Sequence, residues 1–410
     1  MGEDDRRRQR VLFLTHHLPW PPTSGGRLRE AELLARLGRQ FEVELVAISK
    51  VAEDDSRAVG EACSRGVSAR VFAAHISSRI DLSPHVRRHD SDEARGYLAS
   101  WWPHHRDVAV HVEGHYLLSL LPPQARSRAL VVEHNIESTL FDQQADLERD
   151  PWRRRHLRRA AALTRRAERT AWQTAAAVGA ITPEDVAVVR RNAPAATVHL
   201  LPNGADHLHA TPPAVASNRT PTIDLLFIGN FAYRPSQDAA RWLLTKIFPA
   251  VALRRPSATL AFVGSAPPPW LRQAAQDDPR LKVTGHVADL TAWLDAAEVV
   301  VCPLRIGGGI KVKILEALSR GRAVVTTPVG MQGLRDLPPG ATVVREDAPS
   351  IAEACLRLLG SVGERLSQQR RARQAARVLP TWDQAAQALA GAWGLLAIVE
   401  DHRDVAAAPG

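Results

Sequence analysis

Three consecutive glycines followed by two lysines and a glutamate form the most informative segment of the chain. The glycines occupy 307–309, after an apolar run that ends at Cys302, and Lys311, Lys313 and Glu316 follow them. Backbone N–H groups at a glycine turn, together with the positive end of a helix, form a pocket for a diphosphate. The lysines add positive charge, and a carboxylate about two turns along the helix can accept hydrogen bonds from a ribose diol. The segment predicts a nucleotide site, although an ordinary turn beside a surface acid gives the same pattern.

Two features of the first half could also contact a ligand. Gly25 and Gly26 follow the first apolar run, and glycine lets backbone N–H groups come close to an anion. His134 follows another apolar run, where its imidazole could face a substrate. From the residues alone, a tight turn and a structural histidine are the alternative interpretations.

Metal ligands are only weakly indicated. Asp90 and Asp92 form an Asp-x-Asp triplet of the kind that holds a divalent cation, but charged residues surround it and no apolar strand precedes it. One group of four histidines fits no metal-ligand spacing, and the sequence places no acidic partner beside it. The group is His104, His105, His111 and His115. A phosphate loop of the Gly-x-x-x-x-Gly-Lys type and a Gly-x-Ser-x-Gly elbow do not occur. We therefore expect no metal site.

The elements that must position these residues alternate between strands and helices. Short apolar runs predict strands at 11–14, 41–49, 69–74, 108–112 and 129–132, and again at 223–229, 259–264, 281–285, 299–303, 323–326 and 341–344. This alternation predicts an α/β fold of doubly wound, Rossmann-like domains with parallel sheets. A chain of 410 residues is too long for one hydrophobic core. We expect a first domain at 1–206, a linker at 207–222, a second domain at 223–380 and a C-terminal helix at 381–410.

The composition favours anionic ligands without selecting one. Lys and Arg number 53 against 44 Asp and Glu, which gives a formal charge of +9. A nucleotide diphosphate, a phosphorylated acceptor, an anionic membrane surface or nucleic acid would all be attracted. Much of the charge lies in the Arg-dense stretch 146–172, for which a solvated surface helix and a phosphate- or membrane-contacting face both remain open.

The chain carries no sign of export or of a membrane span. Its first apolar run is too short for a signal peptide, and no stretch approaches the ~20 apolar residues of a spanning helix. The three cysteines, Cys63, Cys302 and Cys355, are widely spaced, which argues against a disulfide framework or a zinc site. We expect a cytoplasmic protein in which any membrane contact is peripheral.

At 302–330 the chain resembles the retaining glycosyltransferases of family 4, which have the GT-B architecture of two Rossmann-like domains facing each other across a cleft. The resemblance is to the branch with a Gly-Gly-Gly-x-Lys-x-Lys-x-Leu-Glu element. Glu316 stands at the second glutamate of the family's Glu-x7-Glu element, and the strand 323–325 follows in register. Gly308 stands where most members have the first glutamate, which contacts the hydroxyls of the transferred sugar.

The resemblance extends over nearly the whole chain. Residues 14–26 are similar to the family's opening strand and glycine loop, and 131–137 to a segment whose histidine faces the donor sugar. Residues 182–185 and 201–206 are similar to its Ser-Glu-x-Asp and Pro-Asn-Gly-Val-Asp elements, and 380–383 to the segment that crosses back onto the first domain. Asn230 and Ser236 occupy positions where many members have cations, so the diphosphate cations would come from the residues Arg234, Arg305, Lys311 and Lys313.

The resemblance implies that a sugar moves from a nucleotide-diphosphate sugar, UDP- or GDP-linked, to an acceptor hydroxyl with retention and without a metal or other cofactor. It implies catalytic roles for His134, Lys311 and Lys313. Donor-binding roles follow for Gly25, Gly26, Asn230, Arg234, Gly308, Gly309, Ile310 and Glu316. The first domain would bind the acceptor, a small molecule, glycolipid or glycan of natural-product or polysaccharide biosynthesis, and the second the nucleotide sugar.

Two other classes of function stay open at this stage. One is a GT-B enzyme of different reaction, a sugar-nucleotide epimerase or a phosphorylase. The other is a basic membrane- or nucleic-acid-binding module that uses the Arg-dense stretch. The sequence names neither the sugar, the base, the acceptor nor the oligomeric state.

Overall fold

The computed structural model describes residues 8–208 and 223–405, with side chains to residue 396. The chain divides into two compact units, Met1–Asn203 with Trp382–Gly410, and Gly204–Thr381. Most of the linker predicted at 207–222, from residue 209 onwards, lies outside the described residues.

The first unit is built on a seven-stranded sheet. Its strands are β1 (Arg10–Thr15), β2 (Glu42–Ser49), β3 (Val67–Ala73), β4 (Ala109–Glu113), β5 (Ala129–Glu133), β6 (Ala177–Ala180) and β7 (Val198–Leu200). All neighbours pair in parallel, in the order β3-β2-β1-β4-β5-β6-β7. Both faces of β1 are buried: Val11 and Phe13 belong to one hydrophobic cluster, and Leu12 and Leu14 to another. This two-sided burial is why parallel strands appear in the sequence as continuous apolar runs.

In the part of this unit that the structure describes, nine α-helices precede the second unit. They are α1 (Gly25–Leu37), α2 (Ala52–Arg57), α3 (Val59–Ser64), α4 (Pro84–Arg88), α5 (Asp92–Trp101), α6 (Pro123–Arg126), α7 (Glu137–Leu147), α8 (Pro151–Thr174) and α9 (Pro183–Asn192). The Arg-dense stretch thus forms the end of α7 and nearly all of α8. The break between them has a local cause, because Pro151 suits only the first turn of a helix and the Asp150 side chain caps it through the N–H groups of Trp152 and Arg153.

The second unit repeats the architecture with six parallel strands. They are β8 (Ile223–Ile228), β9 (Leu260–Val263), β10 (Leu281–Val283), β11 (Ala297–Cys302), β12 (Ala323–Thr326) and β13 (Val343–Val344). Their order is β10-β9-β8-β11-β12-β13. Its helices are α10 (Arg234–Trp242), α11 (Phe248–Arg254), α12 (Pro269–Asp277), α13 (Thr291–Ala296), α14 (Val312–Ser319), α15 (Ala348–Gly360) and α16 (Val362–Ala376). The alternation predicted from the sequence is confirmed, and both sheets have the doubly wound order of Rossmann-like domains.

The last helix, α17 (Trp382–Val405), belongs to the first unit. Trp382 and Trp393 are buried with Phe13 and Leu33 in the hydrophobic cluster on one face of the first sheet. Among the described residues, no helix is long and apolar enough to cross a membrane.

Candidate functional site

The glycine turn of the second unit lies where the order of the strands reverses. β8 and β11 are neighbours in the sheet but are separated in sequence by β9 and β10, and the chain winds outwards in opposite directions from this pair. Asn230 follows the carboxyl end of β8, and residues 307–309 follow the carboxyl end of β11. Such a switch point is where open α/β sheets bind ligands.

Lys311 fixes the turn from within. Its Nζ donates hydrogen bonds to the carbonyl oxygens of Gly308 at 2.9 Å and Gly309 at 2.7 Å, and only 7% of the residue is exposed. Gly309 has a φ of 57°, a left-handed conformation that favours glycine. With the carbonyls bonded to Lys311, the charge of this lysine is directed at its own loop.

Lys313 lies on α14, one residue after the helix begins. Its Nζ is 4.8 Å from the centroid of the Phe227 ring and 3.4 Å from the point where a Cβ on Gly229 would stand. Burial lowers the pKa of Lys313, and the nearby Cys302 and Glu316 oppose that shift. The ammonium group is therefore desolvated at the carboxyl ends of β8 and β11, where a phosphate would stabilise its charge.

Glu316 is positioned by the same helix. It lies one turn into α14, rather than the predicted two turns, because the helix begins at Val312 and not at the glycines. One carboxylate oxygen is 3.3 Å from Nε2 of His207. The described residues thus give this carboxylate a histidine partner that the sequence did not suggest.

The other predicted donor contacts are distributed unevenly. Arg234 opens α10, and the Asn230 side chain accepts a hydrogen bond from the Ala232 N–H at 3.0 Å, which shapes the loop after β8. Arg305 forms a two-point ion pair with Asp238, at 3.0 and 2.6 Å. The expectation that Arg305 is a cation for a diphosphate is thereby weakened, because a carboxylate already satisfies its guanidinium.

Polar side chains of the first unit also meet at one sheet edge, and the sequence-predicted His134 is among them. His17 follows β1, Glu113 ends β4 and His134 follows β5, so three adjacent strands bring them together. Gly25 and Gly26 are the first residues of α1 rather than a preceding loop, because the Ser24 side chain caps the helix two residues earlier than predicted. A Cβ on Gly26 would stand 3.6 Å from both the Nδ1 of His134 and the Cε1 of His17.

Carboxylates accompany the histidines at this edge. His134 Nε2 lies 2.5 Å from a carboxylate oxygen of Glu113, and His17 Nε2 lies 3.1 Å from one of Glu30 on α1. Burial pushes the pKa of His134 down, but the Glu113 carboxylate outweighs it and the pKa of His134 is raised. Burial alone would raise the pKa of Glu113, yet His134 and then His111 hold it well below its usual range. Both shifts favour an imidazolium paired with a carboxylate.

A second buried group of ionisable residues lies beside the first. Glu133 ends β5 and accepts hydrogen bonds from the indole N–H of Trp172 at 2.8 Å and from Nδ1 of His115 at 3.1 Å. Against the opposing effect of burial, Glu133 raises the pKa of His115 to about 9. Burial raises the pKa values of Glu137 and Glu168 to about 7.

Glu30, Glu113 and Glu133 were missed by the sequence reasoning. The expectation that the histidines have no acidic partner is wrong for His111 and His115, which contact Glu113 and Glu133. His111 and Glu113 are two residues apart on β4 and share one face of the sheet, whereas His115 and Glu133 meet because the neighbouring strands β4 and β5 end at one edge. The available signal was a glutamate closing an apolar run, which occurs at both strand ends.

Among the described residues, three sets of side chains in the first unit have metal-ligand types within reach of one another. They are His75 with Asp90 and Asp92, Glu30 with Glu113 and His134, and Glu30 with His16 and His17. Asp90 is already paired with Arg95 at 2.5 Å, and the Arg29 guanidinium lies beside Glu30 and Glu113, where it supplies positive charge. The absence of a metal requirement stays a prediction.

Comparison with known proteins supports the fold and the character of the second unit. Residues 222–361 match the family described as "Glycosyl transferases group 1". No curated protein sequence matches the chain. Similar solved structures include sucrose-phosphate synthase from Thermosynechococcus elongatus, with a TM-score of 0.70 and 16% identity over 95% of this chain and 99% of that one.

Two further solved structures are similar over most of their length. HepE from Anabaena, solved in complex with UDP and glucose, has a TM-score of 0.67 and 16% identity over 94% of this chain and 99% of that one. WaaG, a glycosyltransferase involved in lipopolysaccharide biosynthesis, has a TM-score of 0.63 and 14% identity over 92% and 98%. The predicted fold class, two Rossmann-like domains of GT-B type, is confirmed, and the second unit carries the group 1 glycosyltransferase signature.

Proposed function

We propose that the protein is a retaining GT-B glycosyltransferase that moves a sugar from a nucleoside-diphosphate sugar to an acceptor hydroxyl. The observation that carries the proposal is the convergence of the glycine turn, Lys313 and the start of α14 at the switch point of the unit that matches the group 1 family. Backbone N–H groups and a desolvated ammonium at a helix start are the groups that bind a diphosphate.

The chemistry requires that negative charge be stabilised on the leaving diphosphate as the glycosidic bond to the donor breaks. Lys313 and the N–H groups near Gly308, Gly309 and Ile310 supply that stabilisation, so the reaction needs no metal ion. Lys311 contributes by holding the turn in shape through its bonds to two carbonyls. Arg234 and Asn230, at the end of the neighbouring strand, complete the donor site.

The nucleoside and the sugar are held by different groups. Glu316 accepts hydrogen bonds from the ribose diol, for which its contact with His207 must adjust. We assign to His134 the contact with the transferred sugar, and to Gly25 and Gly26 an approach to the donor phosphates, as the resemblance to family 4 implies. UDP is the first nucleotide to test, because HepE was solved with it.

Titration calorimetry with UDP and GDP tests the donor site. We expect micromolar binding of one nucleotide by the parent protein and its loss on Glu316→Gln combined with Lys313→Met. Product analysis after incubation with the matching sugar nucleotides, with an acceptor, with phosphate or with neither, then distinguishes a transferase from a phosphorylase or an epimerase. Unchanged nucleotide affinity in the double variant would overturn the proposal. If adding EDTA stopped turnover, the proposal that the reaction needs no metal ion would be overturned.

A further inference from the structure

A continuous line of buried polar contacts connects the C-terminal helix to His134. The indole N–H of Trp393 on α17 donates to Nδ1 of His111 at 3.1 Å. Nε2 of His111 lies 2.9 Å from one carboxylate oxygen of Glu113, and the other oxygen lies 2.5 Å from Nε2 of His134. Trp393 and His111 are completely buried and Glu113 is 1% exposed, so the three groups have little access to solvent.

The indole fixes the tautomer of His111. An indole N–H can only donate, so Nδ1 of His111 must accept and carries no proton. The ring proton of His111 therefore lies on Nε2, from which it is donated to Glu113. The ring orientation is set as well, because His111 stacks on Phe13 with 4.1 Å between ring centroids and meets Trp393 edge to face.

Glu113 is consequently held as a carboxylate with one oxygen committed to His111. Its second oxygen lies beside Nε2 of His134. Among the neighbours of the buried Glu113 carboxylate, His134 and the Arg29 guanidinium are cationic, and His111 is neutral. A buried carboxylate of this kind strongly favours the imidazolium form of its neighbour.

The other edge of His134 remains for a ligand. Nδ1 lies 3.6 Å from the point where a Cβ on Gly26 would stand, and glycine leaves that space open. Other ionisable groups near the ring are Glu30 and Arg29 on α1, which act in opposite directions, His16 after β1, and Glu137 at the start of α7. Glu113 is the largest of the charged influences on His134.

We propose that Glu113, oriented by His111 and Trp393, is a positioning residue that keeps His134 as an imidazolium with its Nδ1–H directed at the substrate. The C-terminal helix thereby sets the charge and orientation of a ligand-contacting side chain in the unit it joins. The ligand expected at Nδ1 is an oxygen acceptor, a sugar hydroxyl or a phosphate oxygen. This inference rests on the proposed function only in assigning that ligand.

The contacts from Trp393 through His111 and Glu113 to His134 form what we call the relay. Histidine NMR of the full chain tests it without requiring turnover. Resonances of His134 and His111 are assigned with His134→Gln and His111→Gln, and titrations contain EDTA so that no cation competes for the carboxylates. In the parent we expect His134 to titrate above the ordinary histidine value of about 6.5. In Glu113→Gln, which keeps the shape but removes the charge, we expect it to titrate below that value. An unchanged His134 titration in a folded Glu113→Gln protein would overturn the proposal.

Two matched tryptophan variants separate the relay from general packing. Trp393→Phe retains the ring but removes the N–H, and we expect the nitrogen shifts of His111 to change from the pure Nε2–H tautomer to a mixture. Trp172→Phe removes a buried N–H that donates instead to Glu133, the carboxylate partner of His115, and we expect it to leave His111 and His134 unchanged. Equal responses of His111 to both substitutions would contradict the assignment to Trp393.

The pH dependence of turnover supplies the functional readout. If the imidazolium is the active form, kcat/KM of the parent falls as pH rises through the raised pKa of His134. The fall should begin at lower pH in Glu113→Gln, with activity recovering towards the parent at acidic pH. A uniform loss at every pH would show that Glu113 is merely structural and would sink the positioning role. Absence of any sugar transfer would defeat the proposed function but leave the NMR result to decide the relay.

Discussion

Lys311 and Lys313 are two residues apart but contact different partners. Lys311 donates to the carbonyls of Gly308 and Gly309, whereas Lys313 lies over Phe227 with its charge desolvated. The same residue type at nearly the same place therefore shapes the loop in one case, and in the other has the role of attracting an anion that we propose for Lys313. Substitutions of the two should be separable by what they change.

Lys313→Met should weaken UDP binding by about 10- to 100-fold, since a charge-assisted hydrogen bond contributes roughly 1.5–3 kcal/mol. Its melting temperature should not fall, because the substitution removes a partly buried charge whose pKa is lowered by desolvation. Lys311→Met serves as the matched comparison and should lower the melting temperature, because two carbonyls lose their donor. Calorimetry and thermal unfolding measure the two effects. A Lys313→Met protein that binds UDP like the parent would show that this ammonium does not contact the diphosphate.

Gly26 offers a second test at the scale of one residue. An added Cβ meets its neighbours at 3.6 Å or more, an ordinary contact, so Gly26→Ala should fold with unchanged stability. The methyl group would nevertheless occupy the space beside Nδ1 of His134. We expect a raised KM for the sugar donor with an unchanged melting temperature, and a donor KM equal to that of the parent would argue against a ligand at this position.

Among the elements, the contact between the loops after β8 and β9 depends on a glycine. Gly264 has a φ of 139°, and a Cβ there would stand 2.0 Å from the carbonyl oxygen of Gly229. Gly264→Ala should cost at least about 2 kcal/mol of unfolding free energy, since both backbone strain and a backbone clash result. Denaturant unfolding measures this. Gly285→Ala, where a Cβ meets nothing within 4 Å, is the control and should be neutral.

Helix α8 contacts α7 through a buried carboxyl group, that of Glu168, which can be protonated. Glu168 accepts hydrogen bonds from the Ser138 N–H at 3.0 Å and from its hydroxyl at 2.5 Å, and burial raises the pKa of Glu168 to about 7. The unfolded chain releases this proton near pH 4.5 and the folded protein near pH 7. Stability from this group is thus complete at low pH and declines between those values, by on the order of 2 kcal/mol.

Glu168→Gln should remove much of this decline, because glutamine resembles the protonated acid at every pH. Urea unfolding at several pH values between about 5 and 8 measures the slope. Glu148→Gln, on the exposed segment between the two helices, is the matched control and should leave the slope unchanged. Identical slopes for the parent and Glu168→Gln would contradict the role given to this carboxyl.

Element types could be predicted from the sequence because parallel strands buried on both faces leave continuous apolar runs. The first residues of helices were harder to predict. Helix α1 begins at Gly25 and not at Arg27, because the side chain of Ser24 caps it there. Partners could not be predicted where they depend on which strands are adjacent. Glu113 and His134 are 21 positions apart in the chain and meet only because β4 pairs with β5.

At the scale of the whole molecule, positively charged residues outnumber negatively charged ones, and several of them lie near the candidate donor site. The formal charge is +9, and α8 alone presents a run of exposed arginines of which Arg158 and Arg165 pair with Asp142. A net positive field raises the local concentration of anions and is screened by salt. The affinity for a nucleoside diphosphate should therefore fall as ionic strength rises, whereas the affinity for a neutral nucleoside should not.

Raising sodium chloride from about 50 to about 500 mM should increase the dissociation constant of UDP several-fold, because the Debye length falls from roughly 14 to 4 Å. Uridine carries the same base and ribose without phosphates, so its weaker binding should be nearly unaffected by salt. Calorimetry at fixed temperature and pH measures both. The comparison also separates the two halves of the donor site, since Glu316→Gln should weaken both ligands while Lys313→Met should weaken only UDP. If uridine and UDP lost affinity equally with salt, the phosphates would not lie in a positive field, and the glycine turn with its lysine would not be the diphosphate site.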